Sequence, residues 1–247
     1  MKKPQERETG HLGMIAAVDP EAEAIIRSLK GRREKTLGGL VFYTGRLGQS
    51  KIACVVSGIG ETNASHAATA LISSYLPSRV INFGIGGAYP TSGLKPGDIA
   101  VATKEIYADV GVLLEEGFHP MKLINIPLLT VGRRRYFNDF PADRGLAEAM
   151  LRTVRSRGSR AKAGVFATVS ACTGTKERAT ELSKRLGAIC ENMEGAAVAH
   201  VSCRYGIPFS EIRGISNIVE DRDTKKWNIP LASGNCQHAL IEFIKGL

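Results

Sequence analysis

The sequence predicts an α/β protein, a single three-layer α/β/α domain with a mixed central sheet. Short apolar runs of strand length alternate along the chain with segments of helical periodicity, and glycine-rich turns join them. The sequence contains no internal repeat, low-complexity segment or interdomain linker. The 247 residues, of which 43% are hydrophobic, suffice for one large domain or two small ones, and the unbroken alternation favours one.

The first two elements illustrate the alternation. Residues 12–18 form a continuous apolar run, which is typical of a buried strand. Asp19 follows as a candidate N-cap, with Pro20 at the first helical position and glutamates in the first turn. We therefore predict a helix that runs to about Leu29 and ends at Gly31.

The rest of the chain follows the same pattern. Further strands are predicted over residues 40–44, 51–56, 79–83, 98–103, 163–170 and 209–215, and helices over 64–75, 146–157, 176–186, 193–205 and from 231 onward. The stretch 107–141 is the least regular, and we expect mobile or interface loops there. Residues 1–11 are charged and lack an apolar run, so we expect a flexible extension ahead of a domain that spans residues 12–247.

The composition narrows the class of protein and its compartment. No run of about 18 apolar residues could cross a membrane, and the N-terminus lacks the apolar stretch of a signal peptide. The five cysteines are scattered without a C-x-x-C pair, which indicates free thiols, so we expect a cytoplasmic protein. The five histidines also stand far apart, so their spacing predicts no metal site.

The net charge of +9 has two interpretations. Nucleic-acid binding proteins usually cluster their basic residues on one face and interleave them with aromatic ones. Here the basic runs are spread along the chain, and aromatic residues form 6% of it. We therefore expect solvated surface charge, or a site for an anionic small substrate, rather than a nucleic-acid partner.

A glycine-rich segment follows the predicted strand 79–83. Its pattern, Gly84-x-Gly86-Gly87, does not fit the dinucleotide-binding fingerprint, because the expected helix and acidic residue do not follow it. The lysine motif of phosphate-binding loops is also missing. Glycines let the backbone approach a ligand closely, so Gly86 and Gly87 are candidate substrate-binding positions, although they could simply turn the chain.

Polar residues stand at the ends of three predicted elements. Glu21 follows the first strand, and Ser216 and Asn217 follow the strand 209–215. The stretch 191–195, which contains Glu191 and Glu194, precedes the alanine-rich helix. Open α/β sheets bind ligands beyond the carboxyl ends of their strands, so these residues could share a pocket. Each also has a purely structural alternative, since acidic residues favour first helical turns and Ser or Asn favours N-caps.

The chain resembles the purine nucleosidase and phosphorylase superfamily. The likeness is carried by ENMEGAAVAHVSCRYGIPFSEIRGISN at 191–217, and it extends through MIAAVDPEAEAI, SGIG and INFGIGGAYPTSGLKPGDI. It looks nearest to the nucleosidases that cleave methylthioadenosine and to futalosine hydrolases. GISNIVEDRD followed by Trp227, and TVSACTGT at 168–175, are particularly similar to futalosine hydrolases. The resemblance implies a nucleoside phosphorylase-like fold without a cofactor or metal.

The resemblance also implies roles for individual residues. The reaction of this superfamily passes through a ribosyl cation-like state. Glu21 matches the carboxylate that orients and deprotonates the attacking water. Glu194 matches the carboxylate that holds the ribose 2′- and 3′-hydroxyls. Further contacts to the ribose or the base are implied for Met193, Arg213, Ser216 and the backbone near Cys172 and Thr173.

Position 217 discriminates between leaving bases. Relatives that release adenine have an aspartate there, whereas this chain has Asn217. The amide NH₂ can donate to the O6 of a 6-oxopurine, where an ionised carboxylate would meet a second acceptor. A mispaired buried polar group costs about 1–3 kcal/mol, so Asn217 favours hypoxanthine as the leaving base.

Water, rather than phosphate, is the expected nucleophile. Phosphorylases of the superfamily carry phosphate-binding arginines at places where this chain has Asp19-Pro20-Glu21 and Phe83. Ile85 stands where methylthioadenosine nucleosidases have serine, which weakens the likeness to them.

The resemblance therefore implies a hydrolase that releases hypoxanthine from futalosine in menaquinone biosynthesis. One alternative is a nucleosidase that releases adenine from methylthioadenosine, adenosylhomocysteine or the amino form of futalosine. Another is a nucleoside- or RNA-binding protein without catalysis. Relatives form homodimers or larger assemblies in which a neighbour's loop closes each site, and residues 112–120 are the candidate loop.

Overall fold

The computed structural model describes residues 10–247 and confirms the predicted fold class. The strands are β1 (Leu12–Ala16), β2 (Lys30–Leu37), β3 (Leu40–Leu47), β4 (Ser50–Val56), β5 (Arg79–Ala88), β6 (Ile99–Tyr107), β7 (Gly111–Leu114), β8 (Gly117–Pro120), β9 (Leu129–Val131), β10 (Arg134–Tyr136), β11 (Asp139–Pro141), β12 (Ala161–Thr168), β13 (Ala188–Asn192) and β14 (Phe209–Ile218). The helices are α1 (Asp19–Arg27), α2 (Glu61–Tyr75), α3 (Arg144–Ser156), α4 (Lys176–Leu186), α5 (Gly195–Tyr205) and α6 (Ile229–Lys245).

The central sheet is mixed. β1 is buried along its whole length and lies parallel to β4 on one side and to β5 on the other. β3 and β2 extend the sheet antiparallel beyond β4. The carboxyl ends of β1 and β5 therefore meet at one edge of the sheet, where the chain turns into α1.

Beyond β5 the sheet curls and closes. β5 pairs in parallel with β14 and, over its last residues, antiparallel with β13. β14 pairs with β6, β6 with β12, and β12 with β13, so that these strands return to β5 as a ring. The ring was not predicted from the sequence, because strand pairing is not encoded in local periodicity. Its closure brings the ends of β5, β13 and β14 together.

Helices cover both faces of the sheet. On one face the core contains residues of α1, α3 and α6, including Ile25, Met150 and Leu240. On the other face α2 and α5 pack through small side chains such as Ala67 and Ala197, which let the two helices approach the sheet closely. These layers give the predicted three-layer arrangement.

Two predictions about α1 are wrong. Asp19 is not the N-cap, because Val18 occupies that position and Asp19 lies in the first helical turn. The helix also ends at Arg27 rather than near Leu29, and the chain continues directly into β2. The strand β2 was not predicted, because its largely charged and exposed residues show no apolar alternation; such a strand suits the edge of a sheet.

The glycine-rich segment after residue 83 continues β5 instead of ending it. Side chains at these positions would collide with the site, since a Cβ on Gly84 would strike the Glu21 carboxylate. A Cβ on Gly86 would lie 2.6 Å from Cys190 Sγ. The glycines therefore serve close packing within a central strand.

The strand β13 and the start of α5 also differ from the prediction. Residues Ala188–Asn192 form a buried strand, and α5 begins at Gly195 rather than at residue 193. The Asn192 side chain explains the later start, because its Oδ1 accepts hydrogen bonds from the backbone N–H groups of Glu194 and Gly195.

The irregular stretch 107–141 contains two small antiparallel pairs, β7 with β8 and β9 with β10. β11 joins the main sheet beside β6. A role for this stretch at a subunit interface stays a prediction. Most of the proposed N-terminal extension, residues 1–9, lies outside the described residues, and His11 already contacts the domain, edge-on to the Tyr75 ring.

Candidate active site

A cavity of about 250 Å³ opens where the carboxyl ends of β1, β5 and β14 meet β13. Every residue nominated from the sequence lines it. The lining consists of Ala17, Val18, Glu21, Ile59, Ile85, Gly86, Gly87, Cys172, Thr173, Glu191, Asn192, Met193, Glu194, Arg213, Ser216, Asn217, Val219, Arg222 and Trp227. The structure thus brings together residues from six separate parts of the sequence.

Glu21 is held by backbone donors on both carboxylate oxygens. Its Oε1 accepts from the Ile85 N–H at 2.8 Å, and its Oε2 accepts from the N–H groups of Ala17 and Val18 at 3.0 and 3.2 Å. The side chain is 4% exposed. Burial raises the pKa of Glu21 above its ordinary value, while the charge of Arg213 and the Ile85 N–H oppose that rise. The result is a fixed carboxylate that is more basic than one at the surface.

Arg213 lies at the centre of the site and is 1% exposed. Its Nη2 donates to Glu194 Oε2 at 3.2 Å, its Nη1 to the Ile85 carbonyl at 3.2 Å, and its Nε to Glu211 Oε1 at 2.7 Å. Burial disfavours its charge, but Glu211, Glu194 and Glu21 together raise the pKa of the guanidinium above its ordinary value. Arg213 is therefore a permanent cation that fixes the position of Glu194.

Glu194 stands at the N-terminus of α5, as the residue that caps that helix. Besides Arg213, its carboxylate accepts from the Gly60 N–H at 3.1 Å, so the loop before α2 also helps to orient it. Met193 lies next to it, with its sulfur 3.3 Å from Cys172 Sγ. Glu194 thus presents a carboxylate beside an apolar surface, which suits a ribose with its hydroxyl edge and its apolar face.

The Asn217 amide has a defined orientation. Its Nδ2 donates to the Ile218 carbonyl at 3.0 Å, and its Oδ1 accepts from Ser216 Oγ at 2.7 Å. Because a carbonyl can only accept, the amide nitrogen must face Ile218. One amide N–H is left over for a ligand. The structure therefore leaves a hydrogen-bond donor, together with a remaining acceptor lone pair, at this end of the cavity.

Glu191 and Thr173 form a feature that the sequence did not reveal. The Thr173 N–H donates to Glu191 Oε1 at 2.9 Å, and Tyr89 Oη donates to Glu191 Oε2 at 2.9 Å. The Thr173 N–H is consequently not free to bind a base edge, which corrects part of the role expected for the backbone at this position. The sequence placed Glu191 in the polar stretch ahead of the alanine-rich helix but gave it no role, because β13 was not predicted and only a strand assignment shows which face it occupies.

Arg222 and Trp227 form one wall of the cavity. The Arg222 guanidinium carbon lies 4.9 Å from the centre of the Trp227 ring, as in a cation–π pair. The neighbouring acids are paired elsewhere, Asp221 with Lys176 and Glu220 with Lys226. Among residues 10–247, no carboxylate forms an ion pair with Arg222, so its charge is available to a ligand.

The structure shows no group of metal-ligating side chains within residues 10–247. Over the same residues, no helix combines the length and apolar character that crossing a membrane requires. Within the site the buried cation Arg213 forms ion pairs with both Glu194 and Glu211.

Comparisons with known proteins agree with this architecture. A sequence profile of the phosphorylase superfamily matches residues 11–245. The chain is 37% identical over 171 residues to the futalosine hydrolase of Thermus thermophilus, which covers 69% of this chain and 71% of that protein. It is 26% identical over 237 residues to the 5'-methylthioadenosine/S-adenosylhomocysteine nucleosidase of Oceanobacillus iheyensis, covering 95% and 98% of the two chains.

A solved structure supports the fold assignment. The nucleosidase of the same name from Neisseria meningitidis, in complex with methylthio-immucillin-A, superposes with a TM-score of 0.84 at 24% identity. The match covers 96% of this chain and 100% of that one. The chain therefore belongs to the phosphorylase superfamily and is a glycosidic hydrolase of its nucleosidase group.

Proposed function

We propose that this chain hydrolyses the N-glycosidic bond of a 6-oxopurine nucleoside, with futalosine as substrate and hypoxanthine as the leaving base, in menaquinone biosynthesis. One observation carries the proposal. Glu21, the Glu194–Arg213 pair and the Asn217 amide converge on a single cavity, where each can serve one part of such a nucleoside.

Glu21 acts on the water. Three backbone N–H groups occupy three of the roughly four acceptor positions of its carboxylate, which leaves one for the attacking water. The raised pKa of Glu21 makes it a better proton acceptor at neutral pH than an ordinary carboxylate. The proton of the water passes to Glu21 as the oxygen attacks the anomeric carbon.

Glu194 acts on the sugar. As the bond to the base breaks, positive charge develops on the ribose ring, and hydrogen bonds from its hydroxyls to a carboxylate become stronger. The Arg213 guanidinium and the Gly60 N–H hold that carboxylate in place before the substrate arrives. This preorganisation lowers the cost of orienting the charge during the reaction.

Asn217 acts on the leaving base. Its free amide N–H can donate to O6 or N7 of a 6-oxopurine, which stabilises the negative charge that the departing base acquires. Asn217 is not an acid, so it stabilises the base by hydrogen bonding rather than by delivering a proton.

Water is favoured over phosphate as the nucleophile. The buried carboxylates of Glu21 and Glu194 both face the cavity and would repel a phosphate dianion. Arg213, the buried cation nearby, already donates to three acceptors.

Arg222 and Trp227 support futalosine among the 6-oxopurine nucleosides. The 5′ substituent of futalosine carries an aromatic carboxylate. The Trp227 ring and the Arg222 guanidinium, which lie together on one wall of the cavity, suit such a group. A small neutral substituent such as a methylthio group would leave the Arg222 charge without a partner.

An adenine-releasing nucleosidase is the second candidate, favoured by the full-length similarity to the Oceanobacillus iheyensis protein. The test is base release, followed by chromatography, with and without phosphate. The substrates are futalosine, its 6-amino analogue, methylthioadenosine, adenosylhomocysteine and inosine. We expect phosphate-independent hypoxanthine release, fastest from futalosine. Adenine release from the amino or thio substrates would establish the second candidate instead, and phosphate-dependent release would refute hydrolysis.

A further inference from the structure

We infer that the Glu191 carboxylate accepts a hydrogen bond from N1–H of a 6-oxopurine base and, opposite Asn217, makes the site reject 6-aminopurines. This inference deepens the proposed function and rests on its assignment of the cavity to a purine. It concerns a residue that neither the sequence pattern nor the water and ribose chemistry assigns.

The position of Glu191 follows from strand register. Both Glu191 of β13 and Asn217 of β14 pair with Gly87 of β5, one from each side. Neighbouring strands lie about 4.8 Å apart, so the two side chains flank the glycine at a spacing that a flat base can bridge. Both side chains line the cavity. A Cβ on Gly87 would lie 2.7 Å from Val219 Cγ2, so position 87 accepts only glycine between the two polar side chains.

The hydrogen-bond inventory of Glu191 leaves room for one more donor. Its Oε2 accepts from the hydroxyls of Tyr89 and Thr173, and its Oε1 accepts from the Thr173 N–H alone. A carboxylate offers about four acceptor positions, so one position on Oε1 is unused. Burial and the charge of Glu191 raise the pKa of Tyr89, which keeps that hydroxyl protonated as a donor.

The unused position discriminates between purines. A 6-oxopurine carries hydrogen on N1 and an acceptor at O6, whereas adenine has an acceptor at N1 and donors on its 6-amino group. The Asn217 amide, held in its orientation by Ser216 and Ile218, still offers both an N–H and an acceptor lone pair, so it discriminates less sharply than a group that can only accept. The Glu191 oxygens act as acceptors toward all their partners, so an adenine N1 placed against them meets a second acceptor and no hydrogen.

A purely structural role for Glu191 is the competing explanation, since its carboxylate also anchors the loop at Thr173. The two roles differ in what they predict. Loss of an anchor weakens binding of every base alike, whereas loss of an N1–H acceptor weakens hypoxanthine specifically.

The experiment measures calorimetric binding of free hypoxanthine and free adenine to wild type, Glu191→Gln, Glu191→Leu and Thr173→Val. Thr173→Val is the matched control, because it removes a hydroxyl that donates to Glu191 but leaves the carboxylate in place. We expect wild type to prefer hypoxanthine, and Glu191→Leu, which removes the acceptor, to lower that preference by about ten- to a hundredfold. Glu191→Gln keeps one amide oxygen and should lower the preference less. Thr173→Val should change both affinities by the same factor.

Equal losses for hypoxanthine and adenine in the Glu191 variants would overturn the inference in favour of an anchor. A wild-type protein that binds 1-methylhypoxanthine as tightly as hypoxanthine would also overturn it, and this measurement needs no variant that could misfold. Because the probes are free bases, the result is separate from the identity of the nucleoside. Failure to hydrolyse futalosine would refute the proposed function while a Glu191-dependent preference for hypoxanthine still stood.

Discussion

Glu105 and Glu211 bring two carboxyl groups together behind the active site, in the space below Gly195. Both side chains are fully buried, and a Cβ on Gly195 would collide with oxygens of both. Glu211 Oε1 accepts from Arg213, while its Oε2 has no donor among residues 10–247. Burial, and then the charge of Glu211, raise the pKa of Glu105 well above its ordinary value. A protonated Glu105 therefore supplies the missing donor to Glu211, whose other oxygen accepts from Arg213.

The first prediction concerns stability against pH. A carboxyl whose pKa is raised on folding binds its proton more tightly in the folded chain than in the unfolded chain. The stability that it contributes is present below the ordinary pKa of 4.5 and is lost as pH rises through the raised value. We therefore expect the free energy of unfolding of wild type to fall as pH rises over that interval. The decrease should be smaller in Glu105→Gln, because the amide is neutral at every pH. Urea unfolding at a series of pH values measures this.

The same pair supplies its own control. Glu211→Gln removes one of the two carboxylates paired with the buried Arg213. Leaving a buried charge without any partner costs about 3–5 kcal/mol, and we expect the lower end of that interval because Glu194 remains. Glu105→Gln should cost about 1 kcal/mol or less at pH 6, because it preserves a neutral donor at the same place. Similar costs for the two variants would contradict the assignment of the proton to Glu105.

The residues at strand ends were the predictable part of the site. Glu21 and Asn217 follow apolar runs that the sequence marks clearly, and the carboxyl ends of neighbouring strands necessarily meet. Glu211 and Arg213 also carried a signal that could have been used. They are two residues apart in one buried strand and so point to the same side of it.

Contacts across the closed ring could not be predicted. Glu105 lies on β6 and Glu211 on β14, strands that pair antiparallel over residues 99–101 and 212–214, so no local pattern in the sequence places the two carboxyl groups together. The short strand β13 was missed because AICEN is five residues long and holds two polar side chains. Without it, Glu191 could not be placed opposite Asn217.

The second prediction concerns the attacking water. Glu21→Gln should lower kcat by about 10²- to 10⁴-fold, because the amide cannot take up the proton of the water. Substrate binding should persist. Glu23→Gln is the matched control, since Glu23 lies on the same helix but is exposed and pairs with Arg27. An active Glu21→Gln protein would remove Glu21 from the chemistry.

The third prediction is the pH dependence that follows from Glu21. The base works in its ionised form, so kcat/KM should fall as pH drops through the pKa of Glu21. Burial raises that pKa above the ordinary value of 4.5, and the acid limb should therefore lie above it too. Rates measured from about pH 4, near the ordinary pKa of a carboxyl group, to about pH 9 test this. A flat profile down to the ordinary value would be inconsistent with a buried base.

The fourth prediction concerns the leaving base. Asn217→Asp replaces the amide donor with an acceptor, so it should shift the ratio of kcat/KM for adenine over hypoxanthine nucleosides upward by roughly ten- to hundredfold. Inosine and adenosine share the ribose, so the comparison isolates the base. An unchanged ratio would show that Asn217 does not contact the 6-position.

The last prediction assigns Arg222 to the 5′ substituent of the substrate. Arg222→Met keeps an unbranched side chain over the Trp227 ring but removes the charge. A hydrogen bond to a charged group contributes about 1.5–3 kcal/mol, so KM for futalosine should rise roughly ten- to hundredfold. KM for inosine, which carries no carboxylate, should change little.

Lys226→Met is the matched control, because it removes one positive charge from the same loop, where Lys226 pairs with Glu220. An equal rise in KM for futalosine and inosine would mean that Arg222 shapes the cavity without recognising the carboxylate. An equal rise in KM for futalosine in the Lys226→Met variant would mean that Arg222 acts only through long-range charge.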